Sequence, residues 1–177
     1  MLTATWLSIL LSAMGPKGQP TPLPPLRAAV VTPACGPLTV TATPATISFA
    51  ATNPDAPAVA GNATASITWQ STGQAHLPWN LSIQSDGVNF LNCPLIPVSA
   101  IAVSCSRAAV TGGGGSGVCS ATAPISASPR VVASGEQSVS NASYQVNLNF
   151  TLSDSWKYIA QLSPSCTLSL TYTVNFQ

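Results

Sequence analysis

The sequence predicts an all-β protein, an antiparallel sandwich of two sheets. Three observations carry that expectation. Apolar and polar residues alternate with a period of two along most of the chain. Turn residues punctuate the alternating runs, and no window beyond the first residues shows a helical stripe.

Residues 1–14 read MLTATWLSILLSAM, an apolar run closing in small residues. A bilayer span needs about 20 apolar residues, so this run is too short to cross one. It fits the hydrophobic region of a secretory signal peptide, although the first charge is Lys17 and no basic residue precedes the run. A fraying N-terminal helix or a misassigned start is the alternative. Leu11-Ser12-Ala13 is a mediocre cleavage site, with Pro16 close behind. Residues 15–37 carry Pro16, Pro20, Pro22, Pro24, Pro25, Pro33 and Pro37. Proline fixes φ and lacks an N–H, so this stretch predicts an extended linker.

The sandwich domain is expected over residues 38–177. Leu38 and Val40 alternate with Thr39 and Thr41, and Ile67 and Trp69 with Ser66, Thr68 and Gln70. Trp79, Leu81 and Ile83 alternate with Asn80, Ser82 and Gln84. Tyr144, Val146, Leu148, Phe150 and Leu152 share one face of a long run, and Leu168, Leu170, Tyr172, Val174 and Phe176 share one face of the last. Such alternation means one face in a core and one face in water. Asn53-Pro54, Asp86-Gly87, Gly112 to Gly115 and Ser134-Gly135 mark the loops. Short antiparallel strands in this number stack as an immunoglobulin-like or jelly-roll-like sandwich.

Cysteines stand at 35, 93, 105, 119 and 166 with no Cys-x-x-Cys pair, and the shortest gap of twelve positions does not suit tetrahedral zinc. A disulfide framework agrees with the apolar leader and with an extracellular location. Cys105 and Cys119 flank the glycine-rich segment 111–117, which lets its ends meet; closing that loop stabilises by about 3 kcal/mol in the chain-entropy model. Cys93 then pairs with Cys166, and Cys35 stays free or pairs between chains. Buried free thiols are the alternative.

Charged side chains make up 5% of the chain and the net charge is +1, which excludes the basic field that nucleic-acid binding requires. His76 is the sole histidine and sits in a predicted loop; Asp55, Asp86, Glu136 and Asp154 all lie near predicted turns. Neither a Ser-His-Asp triad nor a carboxylate pair is in prospect, and the acidic residues do not cluster as calcium ligands. The glycine run lacks the Lys of a phosphate-binding loop. The expectation is a protein with no catalytic residues, metal or cofactor. Trp69 and Trp79 fall on the inward phase. Trp156 and Tyr158, beside Lys157, either cap one end of the sandwich or offer a stacking platform for sugar rings. Asn62, Asn80, Asn141 and Asn149 head Asn-x-Ser/Thr sequons, candidate N-glycosylation sites in a secreted chain.

The stretch Ile67-Thr-Trp-Gln-Ser-Thr-Gly-Gln-Ala-His-Leu-Pro-Trp-Asn-Leu-Ser-Ile83 resembles the first motif of WxL-type bacterial cell-surface domains, with Trp79 and Leu81 as its core. Tyr144 to Asp154 is similar to their second motif, with Phe150 where Trp is expected and Leu152 after it. The resemblance covers residues 60–152 and implies a β-rich module held non-covalently on the cell wall. The chain departs from that pattern in its cysteines and in the residues beyond the second motif. The expected function is a secreted or cell-surface, non-enzymatic structural or adhesive protein. Its partners would be cell-wall or surface polysaccharide, or copies of itself, with no membrane span in the mature chain. Two alternatives stand beside it: a subunit of an extracellular filament or pilus assembled by strand donation, with Leu38 to Ala42 as donor, and a carbohydrate-binding module.

Overall fold

The computed structural model describes residues 2–12 (backbone), 38–50, 58–71, 76–153 and 166–177. The chain forms strands β1 (Leu2–Ser12), β2 (Thr41–Thr43), β3 (Thr46–Ala50), β4 (Val59–Ala60), β5 (Ala65–Ser71), β6 (Pro78–Ser85) and β7 (Asn89–Phe90), of which β2, β5 and β6 lie on alternating runs set out above. They continue as β8 (Cys93–Pro97), β9 (Ile101–Thr111), β10 (Ser116–Cys119), β11 (Ala123–Pro124), β12 (Arg130–Glu136), β13 (Ala142–Leu152) and β14 (Cys166–Phe176). A 3-10 turn, Val98–Ala100, precedes β9.

One sheet runs β10-β12-β6-β14-β1-β3; the other runs β11-β9-β13-β5-β2, with β4 also on β13. β7 and β8 form a separate hairpin. Pairing is antiparallel throughout, except that β1 runs parallel to β3. The chain is thus an all-β sandwich.

The core lies where the period of two puts it. On β13, Tyr144, Val146, Leu148, Phe150 and Leu152 are buried while Gln145, Asn147, Asn149 and Thr151 are half-buried. Leu168, Leu170, Tyr172 and Val174 of β14 face them from the other sheet together with Trp79, Leu81 and Ile83 of β6. Removing such side chains from water contributes on the order of 2 kcal/mol each.

Among the strands not legible as alternation, the longer β9 and β12 each carry a bulge. In β9, Asn147 pairs with Arg107 but Leu148 with Cys105, which leaves Ser106 as an extra residue. In β12, Val131 pairs with Ser82 and Ala133 with Leu81, so Val132 is extra and both Val132 and Ala133 are buried. An inserted residue slips the inward phase by one, which erases a period-two pattern read over the whole strand.

The short-helix alternative for the N-terminal apolar run is not what the structure holds. Its backbone is a strand inside the β6-β14 sheet, reaching the sandwich from outside the expected 38–177 domain.

Candidate functional site

The N-terminal strand occupies a slot whose two walls are fixed by the rest of the fold. One wall is β14. Its far edge pairs with β6 from Leu170↔Ser85 to Phe176↔Trp79. Its start is held by the Cys93–Cys166 disulfide, with Cα atoms 5.5 Å apart. Beside the disulfide, the Leu91 N–H donates to the Thr167 carbonyl (2.8 Å) and the Thr167 N–H returns a bond at 3.3 Å. The Asp86 N–H donates to the Ser169 carbonyl (3.0 Å), while the Asp86 carboxylate accepts from the Ser169 N–H (3.3 Å).

The other wall is β3. Ile47 and Phe49 anchor it in the core. Asn62 brackets Ser48 from the side: its N–H donates to the Ser48 carbonyl, and its Oδ1 accepts from the Ser48 N–H, both at 2.9 Å. Gly61 makes that close approach feasible, since a Cβ there would lie 2.7 Å from Ile47 Cγ2.

Between these walls β1 pairs with β14 from Leu2↔Val174 to Leu11↔Cys166 and with β3 from Ser8↔Thr46 to Ser12↔Ala50. Thr3 pairs with Thr173 and Trp6 with Thr171, so Ala4 and Thr5 together oppose Tyr172 in a bulge.

The residues of the Trp-x-Leu motif lie elsewhere and are core. Trp79, Leu81, Phe150 and Leu152 are all buried. Trp69 stacks on Tyr144 with centroids 5.1 Å apart, and Trp79 meets both edge-on at 5.2 and 5.9 Å. Trp79 also donates its indole N–H to the Ser116 carbonyl (3.1 Å). A polar lid closes over the cluster: the Ser138 N–H donates to the Tyr144 hydroxyl (2.9 Å), the Ser138 hydroxyl to the Gly113 carbonyl, and Gln137 bonds Ser71. Gly112, Gly113 and Gly114 take positive φ at this loop, which glycine adopts without a Cβ penalty.

Cys105 of β9 is bonded to Cys119 of β10, and since these strands belong to opposite sheets the bridge ties the sheets together. Cys93–Cys166 and Cys105–Cys119 are the pairings set out from the sequence; Cys35 lies outside the described residues. So do Trp156, Tyr158, Asp55 and Asp154. His76 is exposed at a loop with its Nδ1 3.2 Å from the Gln137 carbonyl; Glu136, exposed, precedes Gln137 and pairs with Pro78 near that loop, while Asp86 is exposed just past the other end of β6. Among the described residues no three His, Cys, Asp or Glu side chains group as a metal would need, and no helix is long and apolar enough to cross a membrane.

Of the sequons, Asn62 and Asn141 are exposed; Asn80 and Asn149 are half-buried on outer faces. Asn80 Oδ1 accepts from Asn175 Nδ2 (3.2 Å), and Asn149 Oδ1 accepts from the Thr64 hydroxyl (2.6 Å). The sequence reading missed an apolar outcrop at the β7–β8 hairpin, where Val88, Leu91 and Leu95 are 67%, 67% and 59% exposed. Its only sequence signal is an apolar run, Val88 to Val98, that fails to alternate.

Tyr172 is fully buried, and among the described residues its hydroxyl has no hydrogen-bond partner. Burial pushes its phenol pKa well above the usual value. A raised folded pKa contributes stability that is complete below the unfolded pKa, about 10, and is lost as pH rises toward the folded one. Tyr172→Phe should therefore raise stability at pH 7 by about 1 kcal/mol, because no bond is lost and a buried hydroxyl is removed. It should also melt with less alkaline loss than the wild type above pH ~10. Thermal melts of both proteins at neutral and alkaline pH check this; a destabilised variant at pH 7 would reveal an unseen partner for the hydroxyl.

The fold and its bridges define a disulfide-clamped all-β sandwich with an N-terminal strand set into one of its two main sheets. Comparison of the chain with protein-family models, with curated proteins and with solved structures finds no match.

Proposed function

We propose that the chain is a secreted or cell-surface structural module, a non-enzymatic building block with an adhesive or scaffolding role outside the cell. The observation that carries this reading is the pair of disulfides, one joining the sheets and one fastening β14. Such bridges persist in oxidising compartments and are rare where glutathione keeps thiols reduced. A surface built from Ser, Thr and Asn fits the same setting. A WxL-like hold on wall polysaccharide would use residues other than Trp79, Leu81, Phe150 and Leu152, which are packed inside. The sugar-platform alternative rests on Trp156 and Tyr158.

A second reading, the filament subunit, is favoured by the N-terminal strand in its slot. The sequence suggested Leu38 to Ala42 as its donor; this reading takes Leu2–Ser12 instead. Leu38, Val40 and Ala42 are buried in their own core, and β2 pairs with β5. Export decides the main reading. Cell fractionation with non-reducing peptide mapping should recover the protein outside the cytoplasm with both bridges formed. A protein found only in the cytoplasm with free thiols overturns it.

A further inference from the structure

We propose that the slot between β14 and β3 is an acceptor site for the Leu2–Ser12 segment of a second copy of this chain, so that copies are joined by exchanged strands. The proposal rests on the assembling reading and names its joint. Three features support it. First, the slot's walls hold without the strand: β14 is fastened by Cys93–Cys166, Leu91, Asp86 and β6, and β3 by Asn62, Ile47 and Phe49.

Second, the slot needs an occupant. Among the described residues β1 is what links β3 to the rest of its sheet, and an empty slot would leave two unpaired edges inside the sheet. Unpaired edges recruit strands from other chains.

Third, a long stretch of sequence separates the strand from the rest of the sandwich. Residues 13–37 separate it from the described part of the sandwich and are rich in proline. Twenty-five residues of that kind, at about 3.1 Å each when extended, reach roughly 75 Å. That is about twice the diameter of a domain of this size. A linker of that length is long enough to span to a neighbour's slot, and exchange of an identical element is a low-cost route to assembly. The parallel entry of β1 beside β3 is open to a terminal segment, which has no hairpin to obey.

Cross-linking in the full-length chain tests the joint. Ser8 and Ser169 are directly opposed, and both Ser169 backbone groups bond Asp86 on the far side. The pair is therefore non-hydrogen-bonded toward β1, the closer spacing for a cross-strand disulfide. Two differently tagged chains, one Ser8→Cys and one Ser169→Cys, each with Cys35→Ser, are co-expressed and exported. A disulfide between the two tags on a non-reducing gel, lost on reduction, is expected. Leu10→Cys with Thr167→Cys repeats the test at a second opposed pair, should the first disturb folding.

The double variant Ser8→Cys/Ser169→Cys forming only an internal bridge, with no link between tags, overturns the proposal. Mass spectrometry showing exported protein without residues 2–12 overturns it as well. Particles larger than a monomer on a sizing column, combined with no cross-link, leave the assembling reading standing and remove this joint. A monomer in every preparation removes both.

Discussion

Trp79→Ala is expected to lower stability by about 3–5 kcal/mol, the cost of emptying a buried indole site that its neighbours cannot close. The indole is buried between Trp69 and Tyr144, and the aromatic edge contacts add to its burial. Its loss also strips the Ser116 carbonyl of a donor at the start of β10. For a domain of this size the melting temperature should fall by roughly 10–15 °C. Thermal unfolding followed by circular dichroism measures it. An unchanged melting temperature would mean that this indole belongs to a binding surface, as the WxL resemblance would have it, and not to the core.

Replacing Cys93 and Cys166 together by Ala should cost about 4–5 kcal/mol in the chain-entropy model, since the bridge closes a loop with a sequence separation of 73. The bridge from Cys105 to Cys119, with a separation of 14, should cost about 3 kcal/mol by the same reasoning. Urea titrations of the two double variants test the order as well as the size. A larger loss from the shorter loop would show that tying the two sheets matters more than restricting the unfolded chain.

The long strands were legible in the sequence because nothing interrupts their phase. β13 and β14 keep one inward face over eleven residues each, and β5 and β6 do so around Trp69 and Trp79. Where a bulge inserts Ser106 or Val132, the phase slips and the strand disappears from a pattern search. The slot was hidden for a different reason. Leu2–Ser12 is apolar without strict alternation, and a run of that kind at an N-terminus has the composition of an export signal whatever backbone it adopts. Composition cannot distinguish the two, because the requirement that a segment be apolar comes from a membrane in one case and from a sheet in the other. The cysteines were readable because a glycine-rich loop left few ways to pair them.

The direction of β1 has a mechanical consequence. Its hydrogen bonds to β14 and β3 lie across the strand axis on both edges. Tension along the N-terminal segment therefore loads both ladders in shear, with many bonds strained at once, instead of peeling them open one at a time from an end. The end of β1 toward Ser12 lies beside Cys166, where a covalent bond fastens β14 to the hairpin. Force entering along this strand thus meets shared resistance on two sides and a covalent anchor where it leaves the sheet.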